Sequence, residues 1–259
     1  MKRVYVHWKC CCLSMGCVLS MTAALVSGSL CFGQSLPPST AIPVQFTQTI
    51  QAGKVAPGTR ITARVTQTVM ELLPKGTVLE GRVTGSRAFV FNPAPHAVQE
   101  PSYLSIHFER AIVEGREIPV NVHVRALADN LDAYDASYPH RLGDSDHFYF
   151  MQQIGGDQYS LVGKTLLNSE GDVVGSIHEQ GVVGKLIPTA YANHFAGPAC
   201  NGTQTQQALG IFSPSACGLY GFASVELANS GREDGTVRLE SFRRTVKLYA
   251  GSAALLEVN

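Results

Sequence analysis

The chain has 259 residues with 20 basic and 20 acidic side chains, so its formal net charge is zero. The first 33 residues contain three of the basic residues and no acidic one, which leaves the remainder with a formal net charge of −3. A nucleic-acid-binding protein normally presents a basic patch that competes for phosphate, and this balance argues against such a partner.

The N-terminal 33 residues have the pattern of a secretory signal. Lys2, Arg3 and Lys9 provide a positive start, and the apolar run CCCLSMGCVLSMTAALVSGSL follows directly. Small residues near CFGQS predict cleavage after Gly33, with delivery to the periplasm, the cell envelope or the exterior. The run also approaches the roughly 20 residues that span a bilayer. An uncleaved N-terminal anchor is therefore the alternative, and it is the only membrane attachment we expect.

Cysteine usage agrees with export. Five of the seven cysteines lie in the first 33 residues, which leaves Cys200 and Cys217. In an oxidising compartment such a pair usually forms a disulfide, and closing a loop of this size contributes on the order of 3 kcal/mol. The absence of a CxxC motif argues against a redox site or a zinc site. We therefore predict a structural Cys200–Cys217 bridge.

Alternating apolar and polar residues predict β-strands in the remainder of the chain. Ile61, Ala63 and Val65 would share one face of a strand, with Arg and Thr side chains on the other face. In the following turn, Pro74 fixes its own φ and Gly76 tolerates a positive φ, so the chain is expected to return as a second strand.

We expect an all-β fold with two small antiparallel β-barrel or sandwich-like domains after the signal helix. The first spans residues 42–126 and the second 148–259. The connector between them, 127–147, lacks alternation and is predicted to contain one short helix. In the second segment, LVGKTLL, VVGSIHE and VVGKLIP carry glycines in matching places, which predicts a meander with bulges or close strand contacts. The pattern leaves open whether the two segments form one domain or two.

A hairpin around Gly115 carries two histidines on its polar face. If even-numbered residues face the core on both strands, a turn centred on Gly115 places His107 directly across from His123. Such a pair, with Glu109 two positions along, is a candidate metal site. Because no third His or Cys has a visible reason to converge there, two solvated or interface side chains are the alternative. We predict that the chain uses neither a metal nor another cofactor.

Three segments in the first half of the chain follow a known order of motifs. PGTRITARVTQTV is followed by LLPKGTVLEGRV and then by LSIHFERAIVEGREIPVNV. Over residues 42–125 this order resembles the C-terminal β-barrel domain of the TrbI-like family, the channel components of conjugation and type IV secretion. The matching residues are Pro74, Gly76, Thr77, Leu79, Gly81, Phe108, Arg110, Gly115, Ile118 and Pro119.

The resemblance implies a β module that serves as a wall or docking element of the cell envelope. Family members carry a pair of helices inserted in the barrel, and beyond Arg125 no amphipathic or apolar helical segment corresponds to that pair. We therefore expect an exported, non-catalytic structural or binding module whose partners are proteins or other envelope components. A secretion-system-like assembly component, which would form oligomers, is the alternative.

The connector contains the segment closest to enzymatic chemistry. Gly143-Asp144-Ser145 is similar to the nucleophile block of GDS-type esterases, but its flanks are polar and the later histidines lie outside an Asp-x-x-His motif. Asp144, Asp146 and His147 could instead hold a divalent cation, although the spacing of an EF-hand loop is absent. An exported hydrolase with a site in residues 134–147 is thus a further alternative. A solvated acidic loop is what we predict.

Overall fold

The computed structural model describes residues 35–138, 140–141, 149–160, 163–178, 181–189 and 200–259. Strands dominate these residues and the helix among them has six residues, which confirms the predicted all-β fold. Gln34–Asn259 forms one compact unit. The predicted signal segment and its cleavage site after Gly33 lie outside the described residues.

The elements, in chain order, are β1 (Ala41–Phe46), β2 (Ile50–Gln51), β3 (Arg60–Val65), β4 (Val78–Arg87), β5 (Ser102–Val113), β6 (Arg116–Pro119), β7 (Val122–Ala128), α1 (Asn130–Asp135), β8 (His140–Arg141), β9 (Tyr149–Gln152), β10 (Gln158–Ser160), β11 (Thr165–Leu167), β12 (Val173–His178), β13 (Gly181–Lys185), β14 (Gln206–Gly210), β15 (Gly218–Tyr220), β16 (Glu226–Ser230), β17 (Thr236–Ser241), β18 (Lys247–Leu248) and β19 (Ala253–Val258).

The largest sheet has ten strands and forms a nearly closed barrel. Its strand order is β15-β7-β19-β1-β3-β4-β5-β17-β16, and β6 pairs with β5. The predicted alternation is observed in β3, which buries Ile61, Ala63 and Val65 inside the barrel. Phe46 and Phe108 meet in the same core, with their ring centroids 6.0 Å apart.

Both predicted β segments contribute strands to the barrel. β17 pairs with β5, and β19 lies between β1 and β7. All six residues of β19 are buried, as expected for a strand that is covered on both faces. Strand pairing therefore crosses the connector 127–147 and joins strands of both segments in one sheet. The reason is that β1 and β7 complete their backbone hydrogen bonds with the last strand of the chain.

A second sheet has seven antiparallel strands in the order β14-β13-β12-β11-β10-β9-β8. Neighbours in the chain are neighbours in the sheet, which confirms the predicted meander. Gly175 and Gly184 lie opposite each other on β12 and β13, and a Cβ on Gly175 would be only 2.9 Å from the carbonyl oxygen of Val183. Close strand contact is thus the reason for a glycine at position 175.

The second sheet packs on the outer face of the barrel. Small alanine side chains of β1, β7 and β19 lie in one buried cluster with larger side chains of the second sheet, which brings the two sheets close together. The cluster includes Ala41, Ala126, Ala128 and Ala253 from the barrel and Leu166, Val182 and Leu209 from the second sheet.

The register of the β5–β6 hairpin differs from the predicted one. Glu114 and Gly115 form a two-residue turn in which both φ angles are positive, at 51° and 80°. Val113 consequently pairs with Arg116, and paired positions add to an odd number. The turn is centred between residues 114 and 115 rather than on Gly115, which shifts the register by one residue.

β5 also changes its buried face halfway along its length. Glu80 pairs with Arg110 whereas Gly81 pairs with Phe108, so Glu109 is the extra residue of a β-bulge. The predicted inward position of Ile112 is therefore wrong. The buried apolar residues of β5 are Leu104, Ile106 and Phe108 before the bulge and Ala111 and Val113 after it.

Candidate binding cleft

A cleft of 790 Å³ lies where the barrel, α1 and the second sheet meet. Residues of β1 and β3 form one wall, residues of β9, β10 and the segment after β14 form another, and α1 with the turn after it lines one side. A cavity of this size is in the range of ordinary ligand sites. Its chemistry is set mainly by Arg64, Lys75, Tyr134, Tyr138, Met151 and Gln153.

Two tyrosines form the aromatic side of the cleft. Tyr134 lies in α1 and Tyr138 in the turn that follows it. Asp129 caps the N-terminus of α1, where its carboxylate accepts hydrogen bonds from the backbone N–H groups of Leu131 and Asp132. Tyr134 and Tyr138 are four residues apart and their ring centroids lie 4.5 Å apart. Both side chains are more than half exposed, at 59% and 51%. A hydrogen bond with Tyr138 raises the pKa of Tyr134.

The barrel wall of the cleft contributes positive charge. Arg64 is an exposed residue of β3, and Lys75 lies in the turn that leads to β4. Next to them, Gln45 is held by a hydrogen bond from its Nε2 to the carbonyl oxygen of Gly251 at 3.1 Å. None of the described lining residues is Asp or Glu. The described lining thus offers two cations and no compensating carboxylate.

The opposite wall combines sulfur, aromatic and amide groups. Tyr159 donates a hydrogen bond from its hydroxyl to Met151 Sδ at 2.7 Å, and burial raises the pKa of Tyr159. Gln153 is buried, and its Oε1 has no hydrogen-bond partner. A buried acceptor without a partner is costly, so this amide is suited to accept a hydrogen bond from a bound group.

A buried carboxylate supports the turn that holds Gln153. Ser215 Oγ donates a hydrogen bond to Asp157 Oδ2 at 3.2 Å, and Ser213 Oγ lies 3.0 Å from Ser215 Oγ. Gln153 N donates to the carbonyl oxygen of Asp157 at 2.8 Å. Burial raises the pKa of Asp157, while the serine hydroxyls act in the opposite direction. The network therefore fixes the wall of the cleft on the loop that precedes β15.

Arg125 is the largest fully buried side chain among the described residues. It occupies the extra position of a β-bulge between β7 and β19. Its guanidinium donates hydrogen bonds to the carbonyl oxygens of Asn201, Ala216 at 3.1 Å and Ile187 at 2.7 Å. Burial lowers the pKa of Arg125, and the charge of Glu257 opposes that effect. Arg125 is not among the site residues predicted from the sequence.

The predicted disulfide is confirmed. Cys200 and Cys217 are bonded, with their Cα atoms 6.0 Å apart. Beside it, Thr189 pairs with Cys200 in an isolated β-bridge, and Thr189 Oγ1 donates to the carbonyl oxygen of Ser215 at 3.1 Å. The disulfide and the Arg125 side chain therefore hold the same two loops, those that contain Asn201 and Ala216, against the barrel.

The predicted pairing of His107 with His123 is wrong. His107 lies on β5, next to Arg82 and Thr236 in the adjacent strands. His123 lies on β7, which pairs with β15 and β19 rather than with β5. The separation arises because β6, the hairpin partner of β5, ends at Pro119, and the chain then enters β7 at a different place in the sheet. No group of three or more His, Cys, Asp or Glu within the described ranges is arranged to hold a metal ion.

His123 belongs instead to a buried ionic cluster. Its Nδ1 donates to Asn259 Oδ1 at 2.7 Å, and its Nε2 lies 3.6 Å from Glu257 Oε2. The same carboxylate oxygen is 3.8 Å from Arg125 Nη1. Burial alone would raise the pKa of Glu257, but interaction with His123 and the charges of Arg125 and Arg232 outweigh it and lower the pKa. The cluster ties the end of the chain to β7.

The esterase and cation candidates Asp144, Ser145, Asp146 and His147 lie outside the described residues. Within the described ranges, no helix combines the length and the apolar character needed to cross a bilayer.

A scan against protein-family models, a search of curated proteins and a search of solved structures each found no match to this chain. The resemblance of residues 42–125 to TrbI-like barrels therefore rests on its motifs. Function depends on the chemistry of a site rather than on the fold alone.

Proposed function

We propose that the chain is an exported, non-catalytic cell-envelope protein that binds an acidic segment of a protein partner in the cleft. The observation that carries this proposal is the lining of one cavity by two exposed tyrosines and two cations, with no carboxylate among the described lining residues. A binding role needs only this surface, and it assigns no chemical step to the chain.

The residue types of the cleft support a protein partner. Tyr, Met and Arg are enriched at protein–protein interfaces, and Tyr134, Met151 and Arg64 represent them here. A tyrosine supplies a large amphipathic contact surface at a low entropic cost. Positive charge at the site favours an acidic segment, because complementary charge speeds encounter and disfavours basic competitors.

Two features support export to the envelope. The buried Cys200–Cys217 disulfide is of the kind that persists in an oxidising compartment. The N-terminal pattern that ends at Gly33 is that of a secretory signal.

The hydroxyl of Ser215 donates a hydrogen bond to Asp157, and this structural use supports a non-catalytic role for the groups behind the cleft.

The proposal is tested by recovering bound proteins from the native envelope with the tagged chain that begins at Gln34. A Tyr134→Ala, Tyr138→Ala variant is expected to retain a specifically bound partner at least roughly tenfold less, because exposed aromatic residues dominate such interfaces. Leu131→Ala is the matched control, since Leu131 is an exposed residue of α1 that does not line the cleft. Equal recovery by the tyrosine variant and the wild type would contradict binding in the cleft.

A further inference from the structure

The barrel has a second unusual surface outside the cleft. The loop between β4 and β5, residues 88–101, is called the apolar loop. It exposes Val90, Phe91 and Val98 by 76%, 67% and 88%. Its residues 88–99 include no Lys, Arg, Asp or Glu. Isolated exposed apolar side chains are common, but a group of them within twelve residues that lack Lys, Arg, Asp and Glu indicates an interaction surface.

The apolar loop is ordered by its own hydrogen bonds. Gln99 Oε1 accepts from the backbone N–H of Asn92, and Gln99 Nε2 donates to the carbonyl oxygen of Asn92, both at 2.9 Å. Asn92 Oδ1 accepts from the N–H of Ala94 at 3.1 Å. The loop backbone is thus organised while its apolar side chains point away from the protein core, which lowers the entropic cost of binding through them.

Positive charge lies at the base of the apolar loop. Phe89 N donates to Thr245 Oγ1 at 3.1 Å, which brings the preceding residues Arg243 and Arg244 beside the loop. Lys54 lies in a neighbouring turn whose backbone bonds to the end of β4. These three cations are exposed and form no ion pair with another described residue.

We propose that the apolar loop and the Arg243–Arg244 turn form a docking site for an anionic lipid surface. In this arrangement Val90, Phe91 and Val98 insert below the lipid headgroups, and the two arginines bind headgroup phosphates. Phe242 is also half exposed and adds apolar surface beside the arginines.

A lipid surface fits this site better than a protein does. The apolar side chains stand on a projecting loop rather than in a groove, so a soft interface can surround them whereas a rigid partner would need a matching pocket. The carboxylate within the loop, Glu100, is already paired with Arg87. The remaining exposed charge at the loop base is therefore positive, which complements anionic headgroups.

The test is a vesicle flotation assay with the compact unit Gln34–Asn259. The wild type is expected to float with vesicles that contain phosphatidylglycerol, to float poorly with phosphatidylcholine alone, and to be released by added salt. A Val90→Ser, Phe91→Ser variant is expected to partition at least roughly tenfold less. An Arg243→Gln, Arg244→Gln variant is expected to lose the preference for anionic vesicles.

Matched controls separate the loop from general surface effects. Val173→Ser removes a side chain that is 69% exposed on β12, and it should leave flotation unchanged. Arg116→Gln with Lys185→Gln removes the same charge from other exposed sites and should keep the preference for anionic vesicles. Thermal unfolding of each variant checks that the fold is intact.

Three results would overturn the proposal. They are absence of wild-type binding to both vesicle types, undiminished binding by the Val90→Ser, Phe91→Ser variant, and equal wild-type binding to neutral and anionic vesicles. If the loop variant instead loses a protein partner while the wild type ignores vesicles, the loop docks protein and the lipid proposal fails. The cleft variant at Tyr134 and Tyr138 should still float, so the two proposals fail independently.

Discussion

At the scale of single residues, Arg125 and Glu257 belong to the buried ionic cluster that ties the last strand to β7. Both are buried, and Arg125 bonds to carbonyl oxygens of the loops that surround the disulfide. Burying two charges offsets much of their mutual attraction, so the pair adds little by itself. Removing one partner is costly, because the other charge then stays buried without compensation.

Glu257→Gln is therefore expected to reduce the free energy of unfolding by about 3 kcal/mol at neutral pH. The pKa of Glu257 is lowered in the folded protein, so the ionised carboxylate stabilises the wild type above the ordinary glutamate pKa. That contribution is lost as the pH falls through the lowered folded pKa. Urea denaturation of both proteins across this range should show a difference that shrinks towards acid pH.

Glu100→Gln is the control for this prediction. Glu100 is exposed and pairs with Arg87 at the surface. Glu100→Gln should therefore change the free energy of unfolding by less than about 1 kcal/mol. The contrary result is that Glu257→Gln lowers the free energy of unfolding by an equally small amount, or by the same amount at neutral and acid pH. Either outcome would show that the buried cluster does not stabilise the fold.

The sequence contains a signal for only some of these residues. The disulfide could be predicted because two cysteines remain after the signal segment. Arg125 could have been found as the lone charge in the apolar run VNVHVRALA, since a buried charge needs partners. Tyr134 and Tyr138 have helical spacing inside a segment without strand alternation. The unpartnered Oε1 of Gln153 has no sequence signal, because it depends on the surrounding packing.

At the scale of elements, the β5–β6 turn explains why strands could be predicted while their register could not. Alternation identified the strands and Gly115 marked the turn. The register depends on a second residue with positive φ, Glu114, and glutamate rarely adopts that conformation. The bulge at Glu109 changes which face of β5 is buried, and no residue type at that position predicts a bulge.

Glu114→Asn is expected to stabilise the protein by about 0.5–1 kcal/mol. Asn tolerates the left-handed conformation, and Asn-Gly is the preferred pair for a two-residue turn with both φ angles positive. Chemical denaturation measures the change. Gly115→Ala should shift stability in the opposite direction by a similar amount. A loss of stability in Glu114→Asn would mean that the turn does not have this conformation.

For the whole molecule, the decisive feature is the pairing of strands that are distant in the sequence. β19 lies between β1 and β7 in the barrel, and its outer face helps to bury the second sheet. Residue patterns identify strands by their local period, but partner choice across more than 100 residues leaves no local mark. The cleft combines barrel, helix and second sheet, so it could not be predicted from any one segment.

The central claim is that a protein partner occupies the cleft, and photo-crosslinking in living cells tests it most directly. Benzoylphenylalanine is placed either at Tyr138, in the cleft, or at Leu131, in α1 and outside the cleft. We expect a covalent adduct with one envelope protein from position 138, the same protein that the wild type recovers, and none from position 131. The absence of an adduct at 138, or equal adducts at both positions, would contradict the claim.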